Sequence, residues 1–177
     1  MSRAAHLTRR FFGALRPGGP SPADDRWAAQ VLTGPEYALW AKMPDHDRRH
    51  SIAVARRVDA TLAGTDQAGD DQWLAAALLH DVGKLDAGLG VFARVGATIA
   101  GTVAGRDDAR RWSAGRGVRR RVGLYLRHDE LGATRIRTVG GRETAARWAG
   151  AHHQPDPTAA SGLPAPVADA LRDADDD

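Results

Sequence analysis

The sequence contains no cysteine and few aromatic residues, which make up 6% of the 177 positions. Without cysteine there can be no disulfide bond and no thiolate metal ligand, so nitrogen and oxygen atoms must hold any bound metal ion. The length is enough for one domain of ordinary size, which buries roughly 70% of its unfolded surface.

Long apolar runs are also missing. The run Leu74–Leu79 is far shorter than the ~18 residues that a membrane-spanning helix needs. The stretch Met1–Leu15 lacks an apolar segment followed by a small-residue cleavage site, which a secretory signal would contain. We therefore expect a cytoplasmic protein without a membrane partner.

The charges are nearly balanced, with a formal net charge of +3, and the arginines are spread along most of the chain. The exception is the segment Arg106–Arg127, which we call the arginine cluster; its further members are Arg110, Arg111, Arg116, Arg119, Arg120 and Arg121. At helical spacing, Arg116, Arg119 and Arg120 share one face, and Val118, Val122 and Tyr125 share another. This pattern favours a solvated amphipathic helix. The alternative is a surface that binds phosphate or nucleic acid.

Prolines and glycines are concentrated between Pro17 and Pro22, where they are too dense to sustain a helix. We therefore assign residues 1–25 to a basic tail and linker, and residues 26–177 to a single domain. Strand-like alternation is nearly absent from that domain, and apolar residues recur at intervals of three and four. This pattern predicts an all-α fold.

The predicted helices follow from caps and breakers. Asp24 or Asp25 is expected to cap the first helix, which Gly34-Pro35 interrupts, and residues 154–164 are expected to form a loop. The other predicted helices cover Tyr37–Met43, Asp45–Ala63, Asp70 or Asp71 to Gly83, Val91–Ala104, Gly117–Arg127, Glu130–Val139, Arg142 to the residue before Pro155, and the segment around Val167–Ala174.

The segment Leu78–Lys84 is the most informative part of the chain. It is an apolar helix end that presents His80 and Asp81 side by side and stops at Gly83. An imidazole next to a carboxylate at a helix terminus suits a bound metal ion. More donors of the same kind occur elsewhere in the chain, at His50, His128, His152, His153, Asp169, Asp173 and Asp175.

These donors suffice for two metal sites. Imidazole selects Fe, Mn, Co, Ni or Zn over Mg or Ca, so a divalent transition metal is expected. A single histidine at a helix end is more often an ordinary hydrogen-bonded residue, and we assign His6 and His46 to that class.

In their order, His50, the pair His80-Asp81 and a late aspartate resemble the motif of the HD-domain superfamily of metal-dependent phosphohydrolases. Residues 128–133, His-Asp-Glu-Leu-Gly-Ala, are similar to the His-Pro-Glu-Ile-Gly-Ala segment of its two-metal branch, which includes cyclic-dinucleotide phosphodiesterases. His152-His153 resembles the histidine pair of that branch. Residues 161–164, Ser-Gly-Leu-Pro, stand where cyclic-di-GMP enzymes carry Gly-Tyr-Pro.

The resemblance implies an HD-type helical bundle with a metal site between its core helices. One ion would be held by His50, His80, Asp81 and the late aspartate, and Asp81 would bridge to a second ion held by His128, His152 and His153. The family's apolar residue before an Ala-Asp pair indicates Asp175 as that aspartate, with Asp173 and then Asp169 as alternatives. Lys84 would contact a substrate phosphate, or else be an exposed lysine at a helix end.

The expected function is therefore hydrolysis of a phosphate ester, from a nucleotide or a related small molecule, by metal-activated water. Asp81 and Lys84 are the candidate catalytic residues, and two ions, Fe or Mn before Zn, Co or Ni, are the expected cofactors. The alternative is an inactive sensor domain that binds metal or a nucleotide, since the Gly-Tyr-Pro signature is missing. A protein that binds nucleic acid through the arginine cluster is a third and weaker hypothesis.

Overall fold

The computed structural model describes residues 18–90, 93, 96–97 and 105–176. Over these residues the chain is all-α, as predicted, and contains no strand. Its bounded elements are α1 (Pro22–Val31), α2 (Gly34–Trp40), α3 (Asp45–Leu62), α4 (Asp71–Leu79), a 3-10 helix (Val82–Asp86), α5 (Arg106–Ser113), α6 (Gly117–Leu126), α7 (His128–Thr138), α8 (Glu143–Ala151), α9 (Pro157–Ser161) and α10 (Ala165–Asp176).

Two of the predicted segments lie mainly outside the residues that the structure describes. Positions 1–17 of the predicted tail, and all of the predicted helix Val91–Ala104 except positions 93, 96 and 97, lie outside the described residues. None of the described helices is both long and apolar enough to cross a membrane.

Helix α4 lies at the centre of the fold. All residues from Trp73 to Leu79 are buried, as expected of a helix that is apolar on every side. Helices α1, α3 and α8 pack around it. Asp70 caps its first turn, where the carboxylate accepts a hydrogen bond from the Gln72 amide at 3.0 Å. Because α4 is surrounded, its C-terminal end delivers His80 and Asp81 into the interior.

The first two helices begin earlier in the chain than predicted. Ser21, rather than Asp24 or Asp25, caps α1, and its hydroxyl accepts from the Asp24 amide at 3.1 Å. Pro35 lies in the first turn of α2, where no amide hydrogen is required, so the Gly34-Pro35 pair starts a helix instead of interrupting one.

An ion pair with a buried carboxylate connects α2 to the start of α8. Glu36 is fully buried, and its carboxylate accepts from the Arg142 amide at 2.7 Å and from Arg142 Nη1 at 2.9 Å. The same carboxylate caps α2 by accepting from the Thr33 amide at 2.9 Å. The two bonds to Arg142 join segments 106 positions apart and fix where α8 begins.

The prediction of a loop over residues 154–164 was wrong, because Pro157–Ser161 forms α9. Proline is compatible with the first helical position, and the Asp156 side chain caps the turn by accepting from the Ala159 amide at 3.0 Å. Gly162 ends the helix with a φ of +59°.

Two features of the arginine cluster also differ from expectation. A helix over Arg106–Ser113 was not predicted, and it packs closely against α6. Val118 was expected to share an apolar face with Val122 and Tyr125, but it is 72% exposed. It lies in the first turn of α6, whereas Val122 and Tyr125 pack against a small apolar cluster further along the helix.

The 3-10 helix packs directly against the backbone of α7. A Cβ atom at Gly83 would overlap the His128 carbonyl oxygen and lie 2.5 Å from the Gly132 amide nitrogen. Glycine is therefore needed at position 83, and this close approach brings the segment after Asp81 against the start of α7. The predicted helix end at Gly83 is replaced by the 3-10 turn, which continues to Asp86.

Candidate metal centre

Three helix C-termini meet at one place in the interior. His80 follows α4, His152 follows α8, and His128 follows the end of α6 and opens α7. The carbonyl ends of helices carry partial negative charge, so their convergence favours a cation. His50 from α3 and Asp175 from α10 lie beside this junction.

His50, His80 and Asp175 form the first cluster of donors, which we call group A. Asp175 Oδ1 lies 2.9 Å from His50 Nε2 and 3.6 Å from His80 Nε2. One donor atom from each residue lies within 4.8 Å of the other two, so group A could hold a metal ion.

His128, His152 and His153 form the second cluster, which we call group B. The Nε2 atoms of His128 and His153 are 3.1 Å apart, and the ring centroids of His152 and His153 are 4.0 Å apart. Their donor atoms also lie within 4.8 Å of one another. The rings of His80 and His152, with centroids 5.4 Å apart, connect the two groups.

Asp81 lies between the groups and is 2% exposed. Its Oδ2 atom is 3.4 Å from His80 Nε2 in group A. Its Oδ1 atom is 3.4 Å from His128 Nε2 and 3.8 Å from His152 Nε2 in group B. Each carboxylate oxygen therefore faces a different group, which is the arrangement that a bridging carboxylate requires. Lys84 Nζ contacts the Oδ2 atom.

Hydrogen bonds to the backbone set the orientation of three imidazoles. In each, Nδ1 lies at hydrogen-bond distance from the carbonyl oxygen three residues earlier, at 2.8 Å for His80 and Ala77, 2.7 Å for His128 and Tyr125, and 2.9 Å for His152 and Ala149. A carbonyl oxygen only accepts, so Nδ1 is the donor and Nε2 faces the centre, where it carries the lone pair whenever the imidazole is neutral. This is how neutral histidine is prepared to bind a metal.

These carbonyl partners were missed by the sequence analysis. Three acidic side chains of the domain have other contacts: Asp47 lies beside His46, Glu130 pairs with Arg127, and Glu143 pairs with Arg137. A usable signal was present, since a histidine at the end of a helix can donate to the last carbonyl groups, which lack intrahelical partners.

The donors fit a divalent transition metal. His80 Nε2 and His152 Nε2 are buried and make no hydrogen bond within the part of the chain that the structure describes. Leaving a buried polar atom without a partner costs about 1–3 kcal/mol, and coordination to an ion would remove that cost. Imidazole nitrogens mixed with carboxylate oxygens are the ligand set of Fe, Mn, Co, Ni and Zn.

The electrostatics of the centre favour positive charge. Burial raises the pKa of Asp81, but the charges of Lys84 and His80 outweigh it and hold that pKa well below its usual value. Burial lowers the pKa of His80, yet the carboxylates of Asp81 and Asp175 raise it to about 10, so binding of a metal at Nε2 would release a proton from this imidazole. Burial lowers the pKa of His152, which favours the neutral imidazole that a metal ligand needs.

Other predicted donors lie elsewhere. Asp169 and Asp173 both pair with Arg172, at 2.9 and 3.1 Å, and their side chains are 52% and 70% exposed. Of the three late aspartates, Asp175 is therefore the one beside His50. His46 lies 3.3 Å from Asp47, in neither group, and His6 lies outside the described residues.

Much of the arginine cluster is engaged by the chain itself. Arg110 and Arg127 pair with Glu130, and Arg111 pairs with Asp108. Arg121 donates to the Ala87 carbonyl at 3.1 Å. These contacts support a structural role for the cluster more than a surface for nucleic acid.

Residues 48–176 match the family model described as HD domain. The chain belongs to the HD-domain family. No curated protein and no solved structure matches it. The matched span of this HD domain contains both donor groups and Asp81. Membership places the chain in a superfamily of metal-dependent phosphohydrolases, and the donor clusters agree with that chemistry.

Proposed function

We propose that this HD domain hydrolyses a phosphate ester of a nucleotide or related small molecule with the aid of two divalent metal ions. His50, His80 and Asp175 would hold one ion, and His128, His152 and His153 the other, with Asp81 shared between them. The position of Asp81 is the observation that supports the proposal best, because its two oxygens face different donor groups.

When bound, such ions supply an acidified water as nucleophile and positive charge for the phosphoryl oxygens. Fe and Mn suit the donor set, and Zn, Co and Ni are compatible with it. The chain itself contributes rigid ligands, since the backbone carbonyls hold the imidazoles of His80, His128 and His152 in one orientation. The burial of Asp81 excludes water from the carboxylate that joins the two groups.

Lys84 is the proposed second catalytic residue. Its ammonium group contacts Asp81 Oδ2, and its side chain is 12% exposed. A cation at this position helps to keep Asp81 ionised, and it adds positive charge where a phosphate would approach. We expect Lys84→Met to reduce turnover more than metal binding, because a lysine ammonium is not a metal ligand.

The test combines metal analysis with an activity screen. The purified chain is stripped with a chelator and reloaded with Fe²⁺ or Mn²⁺, and bound metal is measured by elemental analysis. Release of phosphate or of a monoester from nucleotides and cyclic dinucleotides is then assayed. Two ions per chain and turnover that Asp81→Asn abolishes are expected. Asp173→Asn is the control, since Asp173 is exposed and pairs with Arg172. Absence of bound metal, or turnover that survives Asp81→Asn, contradicts the proposal.

The same preparation distinguishes the sensor alternative, which the missing Gly-Tyr-Pro signature motivates. Ser161 is fully buried and its hydroxyl donates to the Thr158 carbonyl at 3.2 Å, so residues 161–164 complete α9 and its turn. A sensor would gain thermal stability from a nucleotide without forming product, because a ligand that binds only the folded state stabilises it.

A further inference from the structure

We propose that two arginines outside the ligand set each position one donor group, with Arg57 fixing group A and Arg106 fixing group B. The inference deepens the proposed function and depends on it. Neither arginine belongs to the HD motif described above. Each one instead bonds to a residue next to a proposed ligand.

Arg57 connects the two helices that supply group A. It lies seven positions after His50 on α3, which is about two helical turns. Its Nη1 atom donates to the Ala174 carbonyl oxygen at 2.9 Å. Ala174 immediately precedes Asp175, so the helix that carries His50 also holds the backbone beside Asp175.

This bond acts in the last described turn of α10. The last four carbonyl groups of a helix have no amide partner within it, and the last turn frays when nothing satisfies them. A guanidinium group satisfies one such carbonyl and complements the negative end of the helix dipole. Without Arg57, we expect the last turn of α10 to loosen. The distance between His50 Nε2 and Asp175 Oδ1, which is 2.9 Å in the intact chain, should then vary.

Arg106 plays the corresponding part for group B. Its Nη2 atom lies 3.1 Å from Asp129 Oδ2. With the Gln154 carboxamide oriented to satisfy both partners, its oxygen lies 3.2 and 2.6 Å from the two terminal nitrogens of Arg106. Asp129 directly follows His128, and Gln154 directly follows His153. One planar guanidinium thus joins the residues that come after two ligands of group B, using its fixed fork of donors.

The contact between Arg106 and Asp129 matters because Asp129 is buried. Asp129 is 3% exposed, although the side chain of Arg106 is 50% exposed. A buried carboxylate is costly unless it is paired and hydrogen-bonded. Arg106 supplies the cation, and the Glu130 amide supplies a further donor to Asp129 Oδ1 at 2.8 Å. Where the two-metal branch has a proline, this chain therefore has an acid that recruits an arginine.

The two contacts are separate, so their effects can be separated. Arg57 lies on α3 and bonds to α10, whereas Arg106 lies on α5 and bonds to the start of α7 and the segment after α8. Each variant therefore serves as a control for the other.

The test uses the full chain, stripped of metal and titrated with Mn²⁺, with free Mn²⁺ counted by electron paramagnetic resonance. Arg57→Met and Arg106→Met are each expected to weaken one of two binding steps by roughly 10–100-fold, the usual effect of removing a group that orients a ligand. Arg56→Met and Arg111→Met are the matched controls. Arg56 lies over the Trp27 ring, and Arg111, on the same helix as Arg106, is exposed and pairs with Asp108, so both variants should leave the two steps unchanged.

Single-site backgrounds identify which ion is affected. With group B disabled by His153→Ala, Arg57→Met should weaken the remaining step and Arg106→Met should not. With group A disabled by His50→Ala, the pattern should reverse. Arg57→Lys keeps a cationic donor group for the single Ala174 carbonyl and should recover most of the affinity. Arg106→Lys loses the planar fork that reaches both Asp129 and Gln154, so it should not recover the affinity.

The outcomes separate this inference from the proposed function. If the unsubstituted chain binds no Mn²⁺, the proposed function fails and the inference fails with it. If that chain binds two ions and both methionine variants bind them equally well, only the inference is overturned. Circular dichroism checks folding, and if Arg106→Met does not fold, Gln154→Leu removes one contact and should still weaken the step assigned to group B. An unchanged step in Gln154→Leu would then overturn the role of Arg106.

Discussion

His50 Nε2 and Asp175 Oδ1 lie 2.9 Å apart, although the two residues are separated by 125 positions in the chain. The pairing connects an early helix of the domain to its last described helix, because α3 packs against α10. It also completes a group of donors that neither helix provides alone. In this way the same contact serves the fold and the proposed metal centre.

Asp175→Asn should weaken one of the two proposed metal-binding steps by more than about 100-fold, because even partners outside the coordination sphere change affinity 10–100-fold. An amide has one oxygen without charge, so it is a poorer ligand than a carboxylate. Titration with Mn²⁺ checks the prediction. Asp173→Asn, a neighbouring exposed change, should leave both steps as they are. Equal binding by the two variants would remove Asp175 from the ligand set.

Gly83→Ala should destabilise the fold by about 3 kcal/mol or more, at the upper end of overpacking effects. The added Cβ would overlap the His128 carbonyl oxygen, and backbone cannot move aside as a flexible side chain can. Denaturation in urea measures the change. Gly90→Ala is the control, since a Cβ there meets nothing within 4 Å, and it should alter stability by less than about 0.5 kcal/mol. Similar effects at the two positions would contradict the packing described here.

Glu36→Gln should lower the free energy of unfolding by about 3 kcal/mol, because it removes the charge of a fully buried carboxylate and leaves the half-buried Arg142 without its counter-charge. The matched comparison is Glu143→Gln, which breaks an exposed pair with Arg137 and should have little effect. Thermal and urea unfolding of both variants measure the difference. A loss at position 143 as large as that at position 36 would show that burial is not the cause.

The pair Arg137 and Glu143 should give a small, acid-sensitive contribution to stability. The hydrogen bond from Arg137 lowers the pKa of Glu143 below its ordinary value of 4.5. The stabilisation is therefore present above about pH 4.5 and is lost as the pH falls through the lower pKa of the folded state. The difference in unfolding free energy between Arg137→Gln and the unsubstituted chain should be larger at pH 6 than at pH 3. A difference that does not change with pH would contradict the assignment.

Removal of metal should lower the melting temperature of the protein. Ions that bind only the folded state stabilise it by mass action, so the melting temperature of stripped protein should rise with added Mn²⁺. His80→Ala should reduce that rise, because His80 belongs to group A and faces Asp81. Differential scanning calorimetry at several Mn²⁺ concentrations measures this. A melting temperature that does not respond to Mn²⁺ in the unsubstituted chain would count against a metal centre.

Local patterns predicted most of the helices. The apolar spacing around α3 and α4 indicated both helices closely, since amphipathic or wholly apolar periodicity depends only on neighbouring residues. Caps were predicted less well. Proline in the first turn was read as an interruption at Pro35 and as a loop residue at Pro157, although it is compatible with a helix start at both positions.

The sequence by itself determined the helical class, the order of the histidines and aspartates, and the resemblance to HD domains, because these depend on residue type and spacing along the chain. Only the tertiary structure decided that Asp175, rather than Asp169 or Asp173, lies beside His50, and that the two oxygens of Asp81 face different groups. Those relationships depend on how α3, α4, α8 and α10 pack against one another. Packing is set by contacts between distant segments, and periodicity within a single segment does not contain that information.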